Sequence, residues 1–103
     1  GTRRYGDLAV DLDRGAVELG GEQVALTDLE FGLLAALVRR AGEAVDRDTL
    51  AGEIKGIERD AVDRSLDVAV SRLRQKLGDD PKAPRFIKTA WGTGYVFIGK
   101  ESP

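Results

Sequence analysis

Between Asp63 and Leu77, Arg64, Val68, Ser71 and Gln75 recur at steps of four and three, with Arg72 and Arg74 to either side. On an α-helix this spacing gathers the first four on one face and sets the two arginines on its shoulders. An arginine guanidinium forks onto guanine or phosphate, a serine hydroxyl donates or accepts, and a branched aliphatic touches a thymine methyl. That inventory suits a helix lying in the major groove of DNA. A solvated helix face is usually filled with Glu and Lys instead. An ordinary amphipathic surface helix is the competing reading, and the surroundings decide between the two.

The opposite side of the same segment makes it helical. Val62, Leu66, Val70, Leu73 and Leu77 form a single apolar stripe at helical spacing. The elements before it must supply the core that this stripe joins. Leu8–Leu12, Ala16–Leu19 and Gln23–Leu26 read as short β segments of an antiparallel meander, with hairpin turn signals at Asp13-Arg14-Gly15 and Gly20-Gly21. Thr27-Asp28-Leu29-Glu30 is a capping box, so a first helix starts there and runs to about Arg40 with Phe31, Leu34, Leu37 and Val38 inward. Ala41-Gly42 ends it, and Arg39 and Arg40 sit where the helix dipole favours cations.

Asp46 reads as the N-cap of a short second helix that carries Leu50 and Ile54 inward and stops at Gly56. A polar loop from Lys55 to Asp60 follows, with Ile57 as its one exposed apolar residue, and the two-faced helix then ends at Gly78. Asp79-Asp80-Pro81-Lys82-Ala83-Pro84 makes a rigid turn. Arg85–Trp91 and Tyr95–Ile98 form a hairpin about the tip Gly92-Thr93-Gly94, with aromatic side chains to pack over the helices. The expected fold class is α+β: a winged helix-turn-helix with an N-terminal antiparallel sheet, three helices and a C-terminal hairpin wing.

Composition narrows the function. The 103 residues make one domain over 1–103, large enough for a core without staples, and 42% hydrophobic with 33% charged content belongs to a soluble globular protein. No apolar run approaches membrane-spanning length, and no signal-peptide pattern is present. The absence of Met, even at position 1, reads as the mark of an excised fragment, with Gly1 as a cloning remnant. Without Cys there is no disulfide or thiolate zinc site, and without His the commonest general base and metal ligand is missing. No metal or cofactor is expected. A hydrolase built on Asp60 and Asp63, or on Asp79 and Asp80, is the enzymatic alternative. Asp63 reads better as a helix N-cap and Asp79-Asp80-Pro81 as a turn, so no enzyme is expected.

The formal net charge of −2 conceals an asymmetry. Residues 1–70 hold nine basic and fifteen acidic side chains, whereas residues 71–103 hold seven basic and three acidic. Arg72, Arg74, Lys76, Lys82, Arg85 and Lys88 form a basic cluster interrupted only by Asp79 and Asp80. Such an asymmetry marks a partner surface better than the total does.

Four segments carry a resemblance: Leu26-Thr27-Asp28-Leu29-Glu30-Phe31, Arg47 to Leu50, Asp63 to Arg74, and Thr89 to Tyr95. In order and spacing they resemble the winged-helix effector domain of the OmpR/PhoB family of response regulators. The likeness spans essentially the whole chain. It implies a cytoplasmic bacterial protein with a recognition helix at about 60–77 and a wing at 85–98, and a separate receiver domain phosphorylated on aspartate by a sensor kinase. Carried over residue by residue, it makes Arg64 a phosphate contact at the start of the recognition helix and Val68 the aliphatic that meets thymine methyls. Arg72 becomes the principal base-reading arginine and Arg74 a backbone contact. Ser71 stands where some relatives have a further arginine and joins the base-reading group. Thr89 matches a wing threonine that holds a phosphate, and Lys88 beside it is a further phosphate candidate. Asp67, on the same side of the helix as Arg64 and Arg74, is read as an orienting salt-bridge partner for those arginines.

The resemblance implies double-stranded DNA as partner, with two copies on a tandem repeat, the isolated domain monomeric and the full-length protein dimeric on DNA. The loop at 56–61 is where relatives touch RNA polymerase. Trp91 departs from the arginine that many relatives carry there and that can enter the minor groove, while the OmpR-like branch tends to carry Trp, so the departure selects a subgroup. Trp91 is expected to pack within the hairpin, and readout of the minor groove by the wing is not expected. A winged-helix protein-interaction module without DNA binding is the alternative, favoured by the acidic balance of residues 1–70.

Overall fold

The computed structural model describes all of residues 1–103. Four strands, β1 (Thr2–Tyr5), β2 (Leu8–Asp11), β3 (Ala16–Leu19) and β4 (Glu22–Gln23), form an antiparallel sheet in chain order. The meander is as expected, with one strand added: Thr2–Tyr5 pairs along the whole of β2, from Thr2 opposite Asp11 to Tyr5 opposite Leu8. Gly20 and Gly21 both take positive φ, 60° and 84°, as the tight turn matched to strand twist requires. The last strand is shorter than the segment Gln23–Leu26 suggested, because pairing stops at Gln23 opposite Glu18.

The first helix, α1 (Asp28–Arg39), begins on the expected capping box, with Thr27 Oγ1 accepting from the Glu30 amide at 3.2 Å and Glu30 Oε1 from the Thr27 amide at 2.9 Å. Its buried set is wider than one stripe. Every residue from Leu33 to Val38 is buried, while Phe31 is only half-buried. A helix buried on most of its circumference is a central one, and α1 packs against α2 (Arg47–Glu53), α3 (Arg59–Lys76) and the wing strand β7 (Gly94–Phe97).

Asp46 caps α2 as expected, accepting from the Thr49 amide at 2.7 Å, and Leu50 and Ile54 point into the core. Three details of the following segment correct the sequence reading. Ile57 is half-buried against the core rather than exposed. The third helix already starts at Arg59, behind Glu58, which makes no capping bond. Asp63 therefore lies inside the helix and is not its N-cap; its carboxylate faces Arg47 at 3.4 Å.

The wing is β6 (Ile87–Ala90) and β7, joined by a third short strand, β5 (Val45–Asp46), in the order β5-β7-β6. That two-residue strand has no periodicity to read, and its partners Tyr95 and Gly94 lie far along the chain. Phe86, Ile87, Tyr95 and Phe97 carry the hairpin onto the helices, with Phe97 edge-on to Tyr5 at 4.7 Å between ring centroids. The root of the wing is held by Asp79, buried rather than merely part of a turn. Its carboxylate accepts from the amides of Arg85 at 2.6 Å and Ile87 at 2.9 Å, and more loosely from Phe86.

Candidate nucleic-acid interface

The stripe Val62, Leu66, Val70, Leu73 and Leu77 is buried to 1% exposure or less, which locks the rotation of α3. Its opposite face turns to solvent, and Arg64, Val68, Ser71, Arg72 and Gln75 are all exposed there. Neither Arg64 nor Arg72 has an ion-pair or hydrogen-bond partner in the fold, so both guanidinium groups stand ready for an outside acceptor. Lys88 on β6 is likewise exposed.

Arg74 departs from the expected shoulder position. It is 8% exposed and folds under the wing, where Nε and Nη2 donate to the Ile87 carbonyl at 3.2 and 3.1 Å. Nη2 also donates to Thr89 Oγ1 at 2.8 Å, and the guanidinium carbon stands 5.6 Å from the centre of the Tyr95 ring. Thr89 is thus half-buried with its hydroxyl already held by Arg74. The sequence did contain a signal, since residue 74 lies four after Val70 and three before Leu77, beside the buried stripe.

The basic cluster thins for the same reason. Lys76 Nζ lies 2.6 Å from Glu30, a buried carboxylate at the start of α1. Arg85 pairs with Asp7 at 3.4 Å and covers the Phe86 ring at 4.7 Å. What remains open around α3 and the wing is Arg64, Arg72, Lys82 and Lys88.

Asp67 has different partners from those expected. It accepts from Arg47 Nη1 at 2.8 Å and from the Tyr95 hydroxyl at 2.6 Å, and touches neither Arg64 nor Arg74. The Tyr95 hydroxyl, and then the Arg47 guanidinium, hold the Asp67 carboxyl below the usual carboxylate range. Burial, reinforced by Asp67, pushes the Tyr95 phenol up to about 12. Arg47 and Tyr95 were not singled out as site residues. They lie 20 and 28 positions from Asp67, beyond any local spacing rule, although both stand in segments that carried the resemblance. Together α2, α3 and the hairpin enclose an open cleft of about 520 Å³ bounded by Arg47, Asp67, Arg74, Thr89, Trp91 and Tyr95. Trp91 does not pack within the hairpin as expected: it is 91% exposed at the wing tip.

Three helices against a sheet, the third turned outward and followed by a hairpin closed on a short added strand, define a winged-helix domain. The chain belongs to the family described as "Transcriptional regulatory protein, C terminal", whose pattern matches residues 21–97, and within it to the OmpR/PhoB type. It is similar to the transcriptional regulatory protein AruR of Pseudomonas aeruginosa, 43% identical over 101 residues that cover 97% of this chain and 41% of that one. It is similar also to the transcriptional regulatory protein RstA of Escherichia coli, 41% identical over 93 residues covering 90% and 39%. The chain therefore spans well under half the length of these curated relatives. Among solved structures it resembles the RstA DNA-binding domain of Klebsiella pneumoniae, determined in complex with the RstA box. That match has a TM-score of 0.81 and 44% identity over 94% of this chain and 96% of that one. The response regulator DrrB of Thermotoga maritima, an OmpR/PhoB homolog, matches with a TM-score of 0.83 and 36% identity over 96% and 45%. No helix is long and apolar enough to cross a membrane.

Proposed function

We propose that this domain binds a specific sequence of double-stranded DNA, as the effector domain of a two-component response regulator that controls transcription in the bacterial cytoplasm. The observation that carries the reading is the outward face of α3, where Arg64, Val68, Ser71 and Arg72 are exposed together and both arginines lack partners. Family membership and the solved complex of the similar RstA domain with its box support it. In this reading α3 lies in the major groove, with Arg72, Val68 and Ser71 on base edges. Arg64, Lys88 and Thr89 meet phosphates and set the register. Arg74 serves the phosphate contacts through Thr89, whose hydroxyl it holds.

A receiver domain elsewhere in the parent protein would bring two copies together on a tandem repeat, leaving the isolated domain monomeric. The loop at 56–61 between α2 and α3 would offer exposed Glu58 to RNA polymerase.

The test is selection of bound duplexes from a random library with the domain and with Arg72→Ala in parallel. The expected result is a motif for the parent that loses preference at one base position in the variant, with about 1–3 kcal/mol lost on the selected site. Equal effects on selected and random DNA would remove Arg72 from base reading. A protein-interaction module is the second reading, favoured by the acidic excess of residues 1–70. It predicts retention indifferent to salt, whereas phosphate neutralisation gives a log–log slope of about −0.9 per contact.

A further inference from the structure

Arg74 is the one cation that the fold buries, and it is buried without a counter-ion. It is 8% exposed, yet no carboxylate comes within salt-bridge distance of it. Its acceptors, the Ile87 carbonyl and the Thr89 hydroxyl, are both neutral. A buried charge is ordinarily paired, as Glu30 is with Lys76.

Only two of the three guanidinium nitrogens are engaged. Nε and Nη2 make all the bonds just named, and Nη1 makes none. No fully buried side-chain nitrogen in the fold lacks a partner, so Nη1 keeps contact with solvent. That contact runs through the cleft that Arg74 lines together with Thr89, Trp91 and Tyr95. The Thr89 hydroxyl accepts from Arg74 and donates to no protein group, so its proton is free as well.

These donors and walls define an occupant. Nη1 and the Thr89 hydroxyl are two donors suited to a two-oxygen anion. Asp67 offsets Arg47 at 2.8 Å, which leaves Arg74 as the uncompensated charge among the lining residues. One positive charge behind an exposed carboxylate favours a monoanion over a dianion. The volume of about 520 Å³ lies in the range of small-molecule sites and leaves room beyond one anionic group. Trp91, Tyr95 and the bare backbone of Gly92 and Gly94 bound that remaining space, a surface suited to a flat apolar ring.

We propose that this cleft binds a small aromatic carboxylate, with the carboxylate on Arg74 Nη1 and the Thr89 hydroxyl and the ring against Trp91. Thr89 is also placed above as a phosphate contact, so the ligand and DNA compete for one hydroxyl. Occupancy of the cleft therefore weakens DNA binding. The binding step stands independently of the DNA-binding reading, whereas the competition rests on it.

The probes are cinnamate, the uncharged cinnamyl alcohol, and dimethyl phosphate as a free copy of the DNA backbone group. Each is titrated at constant ionic strength into isotope-labelled domain and followed by amide and indole resonances. Trp91 is the single tryptophan, so its indole N–H gives one signal. Cinnamate should shift that signal together with the amides of Thr89, Ala90 and Thr93, saturating with a Kd in the millimolar range. Cinnamyl alcohol and dimethyl phosphate should each bind about tenfold more weakly, the first lacking the charge-assisted bonds and the second the ring. Thr89→Val keeps the shape and removes the donor, and should weaken cinnamate severalfold with the rest of the spectrum unmoved. On a duplex recovered by selection, saturating cinnamate should lower the affinity severalfold, and cinnamyl alcohol should leave it unchanged.

Equal binding of cinnamate and cinnamyl alcohol would reduce the cleft to an apolar patch and overturn the proposal. Equal binding of dimethyl phosphate would make it a seat for backbone phosphate and overturn it too. Shifts confined to the outward face of α3, or no shifts at all, would have the same consequence. Undiminished DNA affinity with the cleft saturated would overturn the competition. A domain that takes cinnamate yet retains no duplex would keep the site and remove the DNA-binding reading instead.

Discussion

Arg74 on α3 donates through Nη2 to the hydroxyl of Thr89 on β6 at 2.8 Å, while its Nε and Nη2 grip the carbonyl of Ile87 in the same strand. The pair fixes the angle between the recognition helix and the wing, because both contacts span the gap between the two elements. A planar guanidinium can reach two acceptors at once, whereas an ammonium is a single point charge.

Replacing Arg74 by Ala should therefore destabilise the domain by about 2–3 kcal/mol, since the carbonyl and hydroxyl lose a charged donor in a buried place. Arg74→Lys should recover only part of that. Urea unfolding measures the loss. In DNA titrations Arg74→Ala should weaken all sequences alike and leave the salt slope unchanged if Arg74 acts through Thr89. A slope smaller by about 1 would mean that Arg74 itself touches a phosphate.

Glu30 ties the start of α1 to the end of α3 through Lys76 at 2.6 Å. Burial pushes its carboxyl up, but the Lys76 ammonium and the Thr27 amide outweigh this and hold it below the ordinary value of 4.5. A depressed carboxyl contributes stability that is present above 4.5 and lost as pH falls through the lower folded value. The urea midpoint should thus decline on acidification, and Glu30→Gln should flatten part of that decline. Asp13, Asp46 and Asp67, also held low by the N-terminal ammonium, the Thr49 amide and the Tyr95 hydroxyl, should add to that slope. Glu30→Ala should cost about 2 kcal/mol at neutral pH through loss of the cap. An acid limb identical in Glu30→Gln and the parent would show that the pair with Lys76 does not persist in solution.

Asp79 gathers three successive backbone amides of the wing root, Arg85, Phe86 and Ile87. An asparagine there would place an amino group against one or more N–H donors. Asp79→Asn should destabilise by about 2–3 kcal/mol and speed amide exchange at Phe86 and Ile87 before it does so in α1. Uniform acceleration across the domain would instead show that the wing root opens only with global unfolding.

Gly94 lies directly under β5: a Cβ built on it would meet the Val45 carbonyl oxygen at 2.0 Å. Gly94→Ala should prise β5 from β7 and cost about 1–3 kcal/mol, as overpacking does. Exchange at β2 and β3 should be untouched. An unchanged melting temperature would be incompatible with the observed β5–β7 spacing.

The sequence alone determined those parts of the protein whose physics is local. The stripe from Val62 to Leu77 required a helix buried on that side, and hence an outward face bearing Arg64, Val68, Ser71 and Arg72. Thr27 and Glu30 located the start of α1, because a capping box closes within one turn. Gly20-Gly21 announced its hairpin, because two successive positive φ angles favour glycine. The family segments supplied the order of the elements. Tertiary structure decided everything that depends on where a long or distant side chain comes to rest. Arg74 borders both faces of its helix, and only the wing laid across it turned the guanidinium inward. Asp67 could have joined either of two arginines on its own helix, but Arg47 and Tyr95 reach it across the fold. Trp91 looked like packing for a hairpin, until Phe86, Tyr95 and Phe97 filled that role and left it in water. A helical period fixes the direction of Cβ, whereas the atoms that bind lie several bonds farther out, and their place is chosen by the neighbours that the fold brings.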